Sequence, residues 1–259
     1  MILDEIVAAK LQELKNSKQK VPERLLLQEL PEEAPPLFSA AFQEEKLNII
    51  AEIKYQSPSR GVFPCLLRPT EVAGQYISAG AVGLSILTEK KYFSGAPEHL
   101  KSVRREFPQI PILRKDFLLD PYQVLEARVW GASAVLAIVA CLQPAQLIGL
   151  LSSARKGFLD VLVEVHNAKE LETALESGAK IIGVNNRNLK DFSVDIRTSF
   201  EIARLLEKEQ GYCLIAESGL SERNQLLELQ DAGFQGFLIG SHFMNNQNPG
   251  ELLAKLVAG

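Results

Sequence analysis

The chain has 259 residues, 46% of them hydrophobic and 23% charged, with a net charge of −4. This is an ordinary balance for a globular protein with a large core, and it excludes the basic footprint of a nucleic-acid binder. No run approaches the roughly 18 apolar residues of a membrane span, and Cys65, Cys141 and Cys213 form no CxxC or Cys/His ligand pair.

The N-terminus, "MILDEIVAAK", places acids inside its apolar stretch and lacks a signal-peptide core. Reduced thiols and a cytoplasmic location are therefore expected. "LDEIVAAKLQELK" sets Ile6, Val7, Leu11 and Leu14 on one helical stripe. Pro22, Pro31, Pro35 and Pro36 break the next segment into short pieces. Residues 1–47 thus read as a helical extension that packs on the rest.

From there one phrase recurs: "SAGAVGLSIL", "VWGASAVLAI", "ESGAKIIGV" and "DAGFQGFLIG". In each, a glycine (Gly80, Gly131, Gly178, Gly233) follows a helix-like segment and precedes a short apolar run. Glycine just past a helix end takes the left-handed conformation at little steric cost. A continuous apolar run suits a parallel strand buried on both faces. Eight such strands occur in order: "NIIAEIK" (48–54), "AVGLSIL" (81–87), "PILRKDF" (111–117) and "AVLAIVA" (134–140), then "DVLVEVH" (160–166), "KIIGVNN" (180–186), "YCLIAES" (212–218) and "GFLIGSH" (236–242). Helical patterns lie between them. Eight βα units predict a (β/α)8 TIM barrel with an N-terminal helical extension, residues 1–259 forming one domain. An open doubly wound sheet is the alternative, weakened by the lack of a GxGxxG turn after the first strand. "NPGELLAKLVAG" supplies one closing helix.

Barrel active sites sit at the carboxyl ends of the strands, and polar residues collect there. The first strand ends with Glu52 and Lys54, which share a face. The third carries Lys115 and Phe117, the fifth Glu164, and the seventh Glu217. In the sixth, Asn185, Arg187 and Leu189 alternate against Asn186 and Asn188. Buried charges pair or serve function, because unpaired ones are costly. A second cluster comes after the last two strands: Ser218 and Gly219, then Gly240 and Ser241. Glycine admits backbone N–H groups close to an anion, and "SPSRG" adds Ser57. With Arg187 or Lys54 as counter-charge, this predicts a phosphate site.

Together "IIAEIKYQSPSRG", "PILRKDF", "VLVEVHNAKEL", "IIGVNNRNL", "IAESGL" and "FLIGSHFM" resemble indole-3-glycerol-phosphate synthase, an enzyme of tryptophan biosynthesis. The resemblance runs from the extension to the last helix, with one motif per expected strand. It implies conversion of 1-(o-carboxyphenylamino)-1-deoxyribulose 5-phosphate to indole-3-glycerol phosphate with loss of carbon dioxide and water. It also implies no metal or organic cofactor; a monomer or weak homodimer is expected. By the same resemblance Lys115 would be the general acid, Glu164 the acid/base of dehydration, and Glu52 and Lys54 participants. Asn185 and Glu217 would bind the polar chain. Ser57, Arg187, Gly219, Gly240 and Ser241 would handle the phosphate. Phe93, Phe117, Leu136, Leu189 and Leu238 would wall the aromatic ring, and Pro58 would shape the first loop. The chain departs from the family's commonest wording at "QSPSRG" and "GASAVLAI", where Ser133 stands for the usual acid.

Other residues read as structural. His166 is expected to cap a turn or orient a carboxylate, and His99 and His242 to lie on the surface or in loops. Trp130 is expected to pack, and Asp116 to pair behind the barrel wall. Asn186 and Asn188 read as turn formers, and "KNSKQK" as a solvated stretch. Two rivals stand beside the main reading: a Schiff-base aldolase acting through a strand-end lysine, and a non-catalytic phosphate-binding barrel.

Overall fold

The computed structural model describes residues 2–42, 46–206 and 211–258. Its strands are Ile49–Ile53, Gly83–Leu87, Ile112–Lys115, Ala134–Ile138, Asp160–Val165, Ile181–Asn185, Cys213–Glu217 and Gly236–Ile239. They are all parallel, each pairs with the next, and the eighth pairs with the first, closing a barrel. Helices run between them along the outside. Two-residue strands, Gln56–Ser57 and Gly61–Val62, form a small antiparallel hairpin in the loop after the first strand.

Every strand falls inside its predicted run, but several stop early at the carboxyl end. The third ends at Lys115, the fourth gives way to a 3-10 turn at Val139–Cys141, and the eighth to the short helix Ser241–Met244. The apolar pattern continues over the barrel rim after the hydrogen-bonded ladder has ended. Phe117, His166, Arg187, Leu189, Ser218 and Ser241 therefore lie beyond the strands, where face alternation no longer applies.

The recurring glycines behave as the phrase predicts. Gly80, Gly131, Gly178 and Gly233 all have positive φ, between 84° and 104°. Each turns the chain out of a helix and into the next strand.

Apolar packing forms two shells. Inside the barrel lie Ile50, Leu113, Leu136, Leu162, Ile215 and Leu238. Between strands and helices lies a larger layer that includes Ile49, Ile53, Val72, Tyr76, Leu100 and Val135. Phe38 and Phe42 meet edge to face at 5.5 Å and close the amino-terminal end of the barrel, packing over Gly83 and Gly236.

The extension begins at the opposite end. Ile2, Leu3 and Ile6, in the helix Ile2–Lys20, line the cavity at the carboxyl ends of the strands. Leu14 and Leu26 then pack on Tyr122, and the chain continues to Phe38 on the barrel floor. The predicted stripe needs correction. Ile6, Lys10 and Leu14 are the buried positions, Val7 is half-buried, and Leu11 is 52% exposed.

Lys10 is buried because it has a partner. Its ammonium lies 2.9 Å from Asp116 Oδ1 and 2.7 Å from Glu13. Lys10 is 3% exposed and Asp116 2%. Burial disfavours both charges, but each group's opposite charge prevails: the pKa of Lys10 is raised, and that of Asp116 is lowered by Lys10 and Arg114. Asp116 also accepts from Thr88 Oγ1 at 2.6 Å and from its neighbour's backbone, Phe117 N–H, at 2.8 Å. It thus pairs behind the wall, as expected, and ties the extension to the end of the third strand. Trp130 packs there too, under the Arg114 guanidinium at 4.1 Å. Among the described residues no helix is long and apolar enough to cross a membrane.

Replacing Lys10 with Met would leave the Asp116 carboxylate buried with one cation fewer. We expect Lys10→Met to lower unfolding free energy by about 3 kcal/mol, read as a lower urea midpoint at unchanged m-value.

Candidate active site

A cavity of about 600 Å3 opens at the carboxyl ends of the strands. All eighteen candidate residues named from the sequence line it, from Glu52 on the first strand to Ser241 after the eighth. The cavity also takes in residues that sequence reading missed: Ile2, Leu3 and Ile6 from the extension, Leu87, Ile138, Phe192, Val194 and Arg60. Arg60 lay in plain view in "SPSRG", as a cation beside the proposed phosphate loop. The extension residues carried no such signal, because where a separate helix docks is a tertiary fact.

Lys115 is the hub. Its Nζ lies 3.1 Å from Glu164 Oε2 and makes a short contact with Glu217 Oε2. Burial opposes the lysine charge, but Glu217, Glu164 and Glu52 outweigh it and hold its pKa above the ordinary value. The two carboxylates are driven apart. Glu164, next to Lys115, His166 and Asn185, is held below the usual carboxylate range despite its burial. Glu217 is pushed up to about 7, first by burial, and by the nearby Glu164 charge against the pull of Lys115. Splitting two carboxyl groups in this way yields a base and a proton-bearing group in one site.

Lys54 pairs separately, with its Nζ 2.6 Å from Glu52 Oε1 and 5.6 Å from the Phe63 ring centre. Two glycines make room for these acids. A Cβ on Gly240 would collide with Glu52, and a Cβ on Gly183 would collide with Glu217 Oε1. Gly240, expected to let backbone approach an anion, has φ −131° and no room for a side chain beside Glu52. Gly219 has φ 78°, and a Cβ there would strike Val194. Ser218 before it is also left-handed, at φ 65°. A non-glycine residue held this way at a site stores local strain.

Asn185 does more than face the mouth. Its Nδ2 donates to Glu164 Oε1 at 3.0 Å, and its Oδ1 accepts from Arg187 N–H at 3.0 Å. It thereby aims Glu164 and starts the loop that carries Arg187. The Arg187 side chain donates from Nη1 to Phe192 O at 2.9 Å. Burial and the neighbouring Arg60 lower its pKa, so two guanidiniums share this side of the cavity. Ser57 Oγ is buried with no hydrogen-bond partner among the described residues. Opposite, Phe93 and Phe117 tilt against each other at 6.1 Å and continue the apolar wall of Leu136, Leu189 and Leu238.

Some expectations about neighbouring residues change. Asn186 is a buried brace and not a turn former: its Nδ2 donates to Ser218 O at 3.2 Å, and its Oδ1 accepts from Ser199 Oγ at 2.8 Å. Asn188 does form the turn, accepting from Lys190 N–H at 2.8 Å. His99 and His242 are half-buried in helices and not in loops, and His242 lines the cavity. His166 lies between two carboxylates, Glu164 and Glu170.

Comparison with known proteins fits this geometry. The family described as indole-3-glycerol phosphate synthase matches residues 3–256. The indole-3-glycerol phosphate synthase of Carboxydothermus hydrogenoformans is 39% identical, with all of both chains covered. That of Campylobacter curvus is 42% identical over 96% of each. Among solved structures, KGPDC from Streptococcus mutans superposes with a TM-score of 0.64 at 13% identity, covering 84% of this chain and all of the other. Thiamine phosphate pyrophosphorylase from Pyrococcus furiosus gives 0.58 at 14% identity, covering 82% and 95%. These two share the fold alone. The sequence match, spanning the barrel and its extension, is of another order: this chain belongs to the indole-3-glycerol phosphate synthase family.

Proposed function

We infer that the chain catalyses ring closure of 1-(o-carboxyphenylamino)-1-deoxyribulose 5-phosphate to indole-3-glycerol phosphate, in tryptophan biosynthesis. One observation carries the assignment of roles: a buried lysine shared by two carboxylates stands between an apolar wall and a cationic, hydroxyl-lined rim.

The substrate is a flexible anion whose ends must be brought together. Arg187 and Arg60, with Ser57, Ser218, Gly219, Gly240 and Ser241, hold the phosphate. Phe93, Phe117, Leu136, Leu189 and Leu238 hold the ring, and Pro58 bounds the first loop. Anchoring both ends orients the reacting carbons and removes much of the entropy cost of closure.

The ring carbon bearing the carboxylate attacks the keto carbon, and the carbonyl electron pair moves to oxygen. Lys115 delivers a proton there, stabilising charge that develops only in the transition state. Carbon dioxide departs and returns its electron pair to the ring. Lys54 protonates the new hydroxyl, which leaves as water while Glu164 removes a proton from the adjacent methylene carbon. Glu217, poised near neutrality, reloads Lys115. Lys54 and Glu52 face the substrate carboxylate and the departing hydroxyl, and Asn185 keeps Glu164 in line.

The ionisation state of Lys115 argues against the aldolase alternative. A Schiff base needs a free amine, and this one is held as an ammonium by its carboxylates. Three free cysteines accord with a cytoplasmic enzyme. A monomer or weak homodimer remains our reading of its assembly.

Incubation with the carboxyphenylamino-deoxyribulose phosphate should produce indole absorbance and fluorescence; no indole product would overturn the assignment. Lys115→Ala should lower kcat by on the order of 10²–10⁴-fold with the fold retained. An unchanged rate would favour the non-catalytic barrel. Arg187→Ala should chiefly raise KM, because a phosphate contact made equally in ground and transition states acts on binding. Steady-state kinetics would reveal an unchanged KM if Arg187 made no such contact.

A further inference from the structure

His166 takes no part in this chemistry, yet it lies against it. Its ring sits between two carboxylates, with Nδ1 2.9 Å from Glu170 Oε2 and Nε2 3.3 Å from Glu164 Oε1. The ring is held from behind. Glu170 also accepts the His166 backbone N–H at 2.9 Å, and its other oxygen accepts from Asn167 Nδ2 at 2.7 Å. Asn167 in turn caps the helix Ala168–Glu176 by accepting from Glu170 N–H. Nε2 is buried, and although close to Glu164 it is off line for a hydrogen bond, with no such partner among the described residues.

Charge balance gives the ring a purpose. Glu52, Glu164 and Glu217 form ion pairs in the cavity with two ammoniums, Lys54 and Lys115, while Arg60 and Arg187 line it without an ion pair to these acids among the described residues. Lys54 is taken by Glu52, and Lys115 is divided between Glu164 and Glu217. One carboxylate is left short of a cation. Lys115 and Asn185 face Glu164 from the third and sixth strands, and His166 faces it from the end of the fifth. Glu170 stands behind from the next helix, and the Cys141 thiol, from the turn Val139–Cys141, lies near both carboxylates. Burial opposes a charge on His166, but Glu164 and Glu170 outweigh it and raise its pKa to about 10.

We propose that His166 is a positioning residue for the reaction: as an imidazolium it keeps Glu164 ionised and aimed into the cavity, so that the exchangeable proton of the site resides on Glu217. The inference rests on the reading of Glu164 as acid/base. Its sign is fixed by charge. Removing a cation beside a carboxylate raises the carboxylate pKa, so Glu164 would be protonated, and lost as a base, at higher pH.

His166→Gln removes the charge and keeps a donor. The acidic limb of its kcat–pH profile should move up by about one pH unit, and kcat on that limb should fall on the order of tenfold, with KM little changed. His166→Lys, which restores a cation, should move the limb back toward that of the native enzyme. An unchanged limb and kcat in His166→Gln would overturn the proposal, since a purely structural role would move thermal stability alone. Glu164→Gln separates the two layers. If it turns over normally, the reading of Glu164 fails; if it is inactive and His166→Gln behaves as native, only the role of His166 fails. Nitrogen NMR of the native enzyme serves if the variants do not fold, because the chain has 3 histidines to assign. One ring should be doubly protonated above neutral pH, and a neutral His166 ring at neutral pH would equally overturn the proposal.

Discussion

The site depends on a single buried cation shared by two carboxylates. Lys115 reaches Glu164 and Glu217 from a different strand, and neither acid could be buried so deeply without it. Lys115 pulls both acids down, and their other surroundings separate them. Glu164 also has His166 and Asn185 and stays ionised, whereas Glu217 has little besides Lys115 and rises toward neutrality. The cluster thus holds an ammonium, a carboxylate and a carboxyl group that burial lifts toward neutrality.

Holding such a cluster in register requires rigidity behind it. Asp116, the residue after Lys115, places its carboxylate in a buried network of Lys10, Arg114 and Thr88. Its carboxylate also fixes the backbone of Phe117, part of the apolar wall. Adjacent residues therefore serve the cluster and its support. Lys10 comes from the extension, whose first turns line the cavity. The extension is thus bound by charge to the strand end that carries Lys115.

Much of this was legible in the sequence. The glycine phrase marked the helix-to-strand turns, and the eight apolar runs marked the strands. Strand-end polarity singled out residues that all line one cavity. The misreadings share a cause: each extended a local pattern beyond the element that generates it. Leu11 fitted the helical stripe, but buried Lys10 took the inward position because Asp116 awaited it. Asn186 read as a turn former, but its amide ties two strand ends and a helix together. At Gly240 the sequence offered one reason for a glycine, and the structure adds another, because Glu52 fills the space beside it.

By itself the sequence determined the number and order of the strands, the helix-ending glycines and the charged residues at the strand ends. Those arise from period, apolar runs and turn chemistry, which act within a few residues of each other. Tertiary structure alone decided which carboxylate shares which lysine, which acid keeps a proton, and which helix covers the cavity. Those outcomes depend on distances and burial between residues far apart in the chain, such as Lys115 and Glu217, or Lys10 and Asp116. Coulomb energy and desolvation are set only once the closed barrel brings such residues together.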